Sequence, residues 1–360
     1  MHIKKIFENI LIFLVAFISV DIIISNTKLN IDKKSCSLVD DKFLQYKKNC
    51  KGKIKIRPDM PTVNFTTNNL GIRINPARQY LNSNKIFIFG SSMILAEHYE
   101  FEKGVIGILQ ERIKDFDFYN FSGPYYSPTV HLYNLKKNIK NEIKPSKIIL
   151  FLSMSDILWE GSFWSDNNNS NNYKPYIKNT EFLKDEINNK KFTHKNLKLT
   201  RSIIYKFKKY KKNLFNDKNI NKNSNIKVRT TVQAGYTYTP LTKLSPFYDN
   251  GEFKIGKEKI QKKITLISSL LKKENIEFYL VIFPFADTLE YGQKEFNWEN
   301  YAKEICIDNC NFVNTFEEFK KYSILNQNWY RDIFIFNDEH YNENGHKIFA
   351  NSLLKKIFNQ

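Results

Sequence analysis

Three side chains in this sequence have the types needed for one piece of chemistry. Ser92 stands in Gly90-Ser91-Ser92, just past the apolar run Ile86 to Phe89. Asp338 and His340 stand two residues apart in Asp338-Glu339-His340, ahead of the closing segment. A serine hydroxyl is a weak nucleophile until a base takes its proton. A neutral imidazole titrates near neutrality and can be that base, and a nearby carboxylate fixes its tautomer and stabilises the imidazolium. The pattern predicts Ser92 as nucleophile toward an acyl carbon, His340 as base and Asp338 as the orienting acid. Such sets are defined by geometry, so the chain order Ser, Asp, His is no obstacle. Plainer readings stand beside these: Ser92 as a helix cap, a favoured place for serine; Asp156 as a helix or turn cap; His346 as a helix residue packing on a sheet; His98 and His131 as residues with no partner in sequence.

The elements that must position these groups are legible as a rhythm. "KIFIFG" predicts a buried strand, "EKGVIGILQERIKD" a helix, "FDFYNFSG" a strand, "TVHLYNLKKNIKNEI" a helix and "SKIILFLSMSD" an apolar strand covered on both faces. After a break, "KEKIQKKITLISSLLKKENI" predicts a helix, "EFYLVIFPF" a fourth strand, "CNFVNTFEEF" a short fifth, and "HYNENGHKIFANSLLKKIF" a closing helix. Alternating strands and helices predict a three-layer α/β/α fold with a central parallel sheet. Ligands bind such sheets outside the carboxyl ends of the strands, so Ser92, the "NFSGPYYS" loop, "SMSD" and "NDEH" should converge. Residues 26 to 80 read as polar and turn-rich. Residues 160 to 250, with their Asn- and Lys-rich runs, read as an insertion.

Composition narrows the function classes. With 42% hydrophobic and 15% aromatic residues among 360, the chain can build a sizeable core. The formal charge of +19 comes mostly from lysine, arginine being the better base reader. No zinc-finger or RNP-like pattern accompanies it. A basic solvated surface is the favoured reading, an anionic lipid or polysaccharide partner the next, and nucleic acid is not expected. Lys4 and Lys5 precede an apolar run, Ile10 to Val20, that resumes after Asp21. With no A-x-A-like cleavage site, residues 1–27 predict an uncleaved signal-anchor helix with the body exported. Cys36, Cys50, Cys306 and Cys310 fit an oxidising compartment. Local pairing is the simplest of three connectivities; zinc at "CIDNC" and unpaired thiols are the alternatives.

The convergent blocks resemble those of the SGNH (GDSL-like) hydrolases over residues 68 to 355 outside the insertion. The resemblance is closest to the membrane-anchored envelope branch, which includes polysaccharide O-acetyltransferases and esterases. The lead-in is "NNLGIR", Asn68 to Arg73. "GSS" stands for Gly-Asp-Ser with Ser92 at the nucleophile position, "NFSGPYYSP" for the second block, "SMSD" for Gly-x-Asn-Asp, and "DEHYNENGH" for the last. The resemblance implies an SGNH/flavodoxin-like domain over 81–360 behind an N-terminal extension, 28–80. It implies an oxyanion hole formed by the backbone N–H of Ser92, with Tyr125 in place of a glycine and Ser155 in place of an asparagine. Losing one such donor typically costs about 2.7–4 kcal/mol of transition-state stabilisation. Gly123 is available to supply the backbone freedom lost at 125. The implied function is a serine esterase or O-acyltransferase acting on envelope carbohydrate through an acyl-serine. The alternative is a weak or inactive SGNH-fold protein that binds glycan, using aromatics such as those of "WEGSFW", Trp159 to Trp164. Neither metal nor organic cofactor is needed. The implied place is the bacterial inner membrane, single-pass and facing the periplasm, beside a membrane acyl-transfer partner.

Overall fold

The computed structural model describes residues 9, 12–13, 15–21, 36–40, 43–56, 60–80, 82–139, 144–166, 173–178, 251–293, 296–336 and 338–360. The chain divides into two compact units, residues 1–33 with 179–227, and residues 34–178 with 228–360. In the first unit the described residues are helical, with Phe13 and Phe17 stacked at 6.3 Å. No helix among the described residues is long and apolar enough to cross a membrane. The remainder of the expected anchor, 1–27, lies outside the described residues, as does 179–250 of the expected insertion.

The second unit begins with two antiparallel hairpins. β1 (Ser37–Asp40) pairs with β2 (Phe43–Tyr46), and β3 (Lys51–Ile54) with β4 (Val63–Thr66). The region expected to be merely turn-rich is therefore built of short strands. A disulfide, Cys36–Cys50, ties the first hairpin to the start of the second. A second joins Cys306 to Cys310, so "CIDNC" closes as a cystine.

The body is one parallel sheet: β5 (Lys85–Phe89), β6 (Asp117–Asn120), β7 (Lys147–Leu152), β10 (Glu277–Ile282) and β11 (Asn311–Asn314), with a small antiparallel pair, β8 (Trp164–Asp166) and β9 (Pro175–Ile177), outside it. The spatial order is β11-β10-β7-β5-β6, the doubly wound 2-1-3-4-5 arrangement. β5 and β7 are apolar almost throughout because both faces are covered, Ile86–Phe89 and Ile148–Leu152 being buried. β11, on the edge, is only partly buried. Right-handed crossovers send α2 (Val105–Arg112) and α10 (Glu343–Ile357) to one face, where they touch, and α3 (Pro128–Asn138), α5 (Glu252–Lys273) and α7 (Trp298–Ile305) to the other. In α5, Ile260, Ile264, Ile267 and Leu271 recur at helical spacing and are buried. The chain order reverses between β5 and β7, and the crevice there opens beyond Phe89 and Leu152.

Residues 160–166 belong to this body. Trp159–Phe163 form a π-helical turn with Glu160, Gly161 and Phe163 buried. The Glu160 carboxylate accepts hydrogen bonds from Ser127 Oγ, Thr129 N and Thr129 Oγ1, each at 2.6 Å, and so caps α3. Lys263 of α5 pairs with Asp166, both buried, and pins β8 to the helix.

Candidate active site

β5 stops at Gly90, where a Cβ would come within 2.6 Å of Ile94 Cγ1 and 3.3 Å of Phe151 Cβ. Only glycine lets the chain turn this tightly from the strand into α1, the single helical turn Ser92–Leu95. Ser91 occupies the N-cap, and its side chain makes no capping bond. The capping role is thus not what Ser92 does. Its Oγ lies 2.8 Å from His340 Nε2, across 248 residues of sequence. His340 Nδ1 lies 2.5 Å from Asp338 Oδ1, and the His340 backbone N–H donates to the same oxygen at 3.1 Å. A carboxylate on Nδ1 fixes the proton there, which leaves Nε2 of the neutral ring to accept from the serine hydroxyl.

The turn that carries Ser92 is braced from the lead-in block. Asn68 Oδ1 accepts from Leu70 N and Ile72 N. Gly71 adopts φ +79°, with Tyr46 O only 2.7 Å from where a Cβ would lie. This tight loop sends Arg73 inward, fully buried. Its Nη1 donates to Leu95 O and Ala96 O at 2.9 Å each, and its Nη2 to Tyr99 O at 2.5 Å. A short helix leaves its last carbonyls unpaired, and the guanidinium supplies donors in a fixed fork. Phe65 and Phe101 stack on its cation, 5.1 and 5.9 Å from Cζ. Burial lowers the Arg73 pKa to about 10, against the opposing pull of Glu97, so it stays charged.

The base sits among more charge than its own sequence neighbourhood discloses. The His98 ring is 4.5 Å from that of His340, and its Nε2 is 4.0 Å from Asp338 Oδ2. Tyr46 OH, from β2, donates to Glu97 Oε2 at 3.2 Å. Burial works to lower the His340 pKa, but the Asp338 hydrogen bond and the charges of Glu339, Asp338 and Glu97 overcome it and raise it to about 9. Burial likewise works to raise Asp338, yet the His340 contacts hold it well below the usual carboxylate range. Among the described residues, His98, Asp338 and His340 also bring three metal-ligand-type atoms within 4.8 Å of one another. Two of the three are already engaged in the chain to Ser92. His346 and His131 are buried and held down to about 3 by desolvation, which keeps them neutral.

The expected oxyanion positions reach the same hollow. Ser91, Ser92, Met93, Tyr125, Ser155, Trp159, Phe285 and Glu339 line a small cavity of about 30 Å³. Tyr125 takes the left-handed conformation, φ +61°, that a glycine would take there. Gly123, expected to supply the freedom, is not left-handed; it lies under the Tyr126 ring, which a Cβ would meet at 2.6 Å. A non-glycine residue in that region costs roughly 1–2 kcal/mol. The Tyr125 ring packs edge-on against Trp159 at 4.9 Å and tilted on Phe163 at 5.9 Å. Ser155 Oγ shares a hydrogen bond with Ser153 Oγ at 2.9 Å. Asp156 caps its turn, accepting from Ser153 N at 2.6 Å, and burial raises its pKa well above the carboxylate norm. Of the "WEGSFW" aromatics, Trp159 lines the cavity while Phe163 and Trp164 are buried in the body.

Arg73, His98, Glu97 and Tyr46 carried no assigned role in the sequence. The signal for Arg73 was its place at the end of the lead-in block. For His98 there was none, because the left-handed Ala96 (φ 52°) breaks any helical register with Ser92.

No family model and no curated protein matches the chain. Among solved structures, the chain is similar to the psychrotrophic esterase EstA of Pseudoalteromonas sp., at 12% identity and TM-score 0.39 over 77% of this chain and 97% of that one. It is similar to a member of the lipolytic G-D-S-L family from Veillonella parvula, at 13% and 0.39 over 77% and 99%. It is also similar to Axe2, an acetylxylan esterase from Geobacillus stearothermophilus, at 10% and 0.41 over 78% and 96%. Likenesses this distant bear on neither activity nor substrate.

Proposed function

We propose that the chain is an SGNH-type serine hydrolase that forms an acyl-serine at Ser92 and works on short acyl esters of a carbohydrate. The observation that carries this is the unbroken hydrogen-bond chain from Ser92 Oγ through His340 to Asp338. In the first half-reaction His340 Nε2 takes the hydroxyl proton as Oγ bonds to the acyl carbon. The same proton then goes to the departing alkoxide as the ester C–O bond breaks. In the second, His340 deprotonates water, or a sugar hydroxyl in the transferase version, and the acyl-serine bond is cleaved with the proton returned to Ser92. The developing oxyanion would take hydrogen bonds from Ser92 N–H, Tyr125 N–H and the Ser155 hydroxyl. A cavity of about 30 Å³, lined in part by Trp159 and Phe285, favours an acetyl-sized group. The two cystines and the basic, apolar N-terminus support an exported, membrane-tethered protein of the cell envelope.

The glycan-binding alternative has one observation in its favour: the Ser155 hydroxyl, shorter than an asparagine side chain, is shared with Ser153. A fluorophosphonate probe separates the two. Wild type should be labelled and should hydrolyse p-nitrophenyl acetate, and Ser92→Ala should do neither. A wild type that is unlabelled and inert would leave the binder standing. Appearance of an acylated sugar when acceptor is added would distinguish transfer from hydrolysis.

A further inference from the structure

The hollow beside Ser92, the acyl cavity of the proposed reaction, holds a charge that the reaction itself does not call for. Among the described residues that line it, Glu339 alone is an acid, and no lysine, arginine or histidine stands there. The rest of the wall is serine hydroxyls, one methionine and the aromatic rings of Tyr125, Trp159 and Phe285. The turn that lets Asp338 accept from both the backbone and the ring of His340 also carries Glu339 between them. The Glu339 side chain is 20% exposed, and its Oε1 lies 3.9 Å from His340 Nδ1. A carboxylate in this place works against hydrolysis of a neutral ester in two ways. Attack by Ser92 puts negative charge on the acyl oxygen, and an acid lining the same cavity opposes that charge. Against the lowering effect of burial, the Asp338 hydrogen bond and then the Glu339 charge raise His340 to about 9, which keeps the base protonated at neutrality. Both effects are offset when the acyl group itself is positive. Its cation would pair with Glu339, weaken the field on the oxyanion and draw the base back toward its neutral form. Aromatic rings also attract a cation over their faces.

We propose that Glu339 selects the acyl group by its charge: the site prefers a small ammonium-bearing acyl group, that of an aminoacyl ester, to a neutral one of the same size, and rejects one that bears a carboxylate. The inference rests on the acyl-serine reading of Ser92 and narrows it. A cavity of about 30 Å³ has room for few atoms beyond the carbonyl, so the ammonium would stand one carbon from it, as in a glycyl group. The chemistry is otherwise unchanged. Ser92 Oγ bonds to the acyl carbon, the C–O bond to the alcohol breaks, and His340 passes the hydroxyl proton to the departing alkoxide. The ammonium keeps its protons throughout.

The glycyl and propionyl esters of p-nitrophenol test it, since they differ only in an ammonium for a methyl group; the malonyl half-ester supplies the anion. kcat/KM is measured for each on the full chain in detergent, at a mildly acidic pH that keeps the glycyl amine charged, and compared with spontaneous hydrolysis. Wild type should favour glycyl over propionyl by at least about tenfold more than spontaneous hydrolysis does, and should turn over malonyl at least about tenfold less well than propionyl. Glu339→Gln should lower the glycyl-to-propionyl ratio at least about tenfold, and Glu339→Lys should reverse the order. A ratio of two esters cancels both the folded fraction and the protonation of His340, so a variant with a weakened fold or a shifted base still gives an answer. A wild-type ratio no greater than the spontaneous one, or a ratio unchanged in Glu339→Gln, overturns the inference and leaves the serine hydrolase standing. Fluorophosphonate labelling without turnover of any of the three esters does the same. Absence of both labelling and turnover overturns the catalytic reading and this inference with it.

Discussion

The two ends of the Ser92–His340 pair are held in different ways. The base end supports itself. Asp338 takes both a ring and a backbone hydrogen bond from His340, Ile335 N donates to His340 O, and Asn342 caps the helix that follows. The hydrogen bonds that hold its Nδ1 side and its backbone all lie within a few residues of it. The nucleophile end borrows its support. One turn of helix carries Ser92, and the donors for its terminal carbonyls come from Arg73, about twenty residues upstream. Isolated short helices are marginal in water, so this turn has the geometry its neighbours impose. The aim of the base should therefore respond chiefly to local changes, and that of the nucleophile to changes around Arg73, outside the acyl cavity.

The largest effect should come from the self-supported side. Asp338→Asn retains the shape of the loop but turns the ring to the wrong tautomer, and ester hydrolysis should fall roughly 10⁴-fold, with some loss of stability at neutral pH because the ion pair is gone. A loss under tenfold would mean that His98 or Glu339 can replace it. Next is pH. With His340 raised to about 9, the ring is protonated at neutrality and cannot accept the serine proton. kcat/KM should climb about tenfold per pH unit between 6 and 8 and level off above about 9. In a variant lacking the Glu339 charge the midpoint should move down. A profile already flat at pH 7 would contradict the electrostatic account.

The borrowed side should show smaller catalytic effects tied to stability. Arg73→Met strands three carbonyls and should destabilise the fold by about 3 kcal/mol. Its kcat should fall roughly tenfold with a smaller change in KM, since the turn that loosens supplies Ser91, Ser92 and Met93 to the acyl cavity while its other walls are untouched. Arg73→Lys, with a single ammonium in place of the fork, should recover part of both. Unchanged kcat in the folded Met variant would show that Ser92 holds its own position. Smallest should be Cys36→Ser with Cys50→Ser, a loss of about 2–4 kcal/mol in stability and only a few-fold in rate.

The same division explains what could be read in advance. β5, β7 and β10 are continuous apolar runs because helices cover both faces, and that pattern is local in sequence. Ser92 and His340 were legible because each stands at a strand end or helix start, where the order of the sheet dictates convergence. The hairpins of 37–66 were not, since four-residue strands such as "KGKI" and "VNFT" show too little alternation to register, and they are held by a cystine and by contact with the body. Arg73 could be seen as part of a block, but the carbonyls it serves lie 22 to 26 residues away and become its partners only after folding. Tyr125 shows the limit from the other direction. Its side chain suggests a backbone unlike glycine's, yet the chain adopts the left-handed turn, with Trp159 and Phe163 against its ring.

Cys36 is fully buried against Phe65 and Leu95, the last residue of the turn that presents the serine. The sulfur bridge thus forms part of the floor beneath the nucleophile. A polypeptide still in a reducing cytosol would carry every reactive group yet have that floor unlocked, and would gain its full rigidity only once thiols are oxidised.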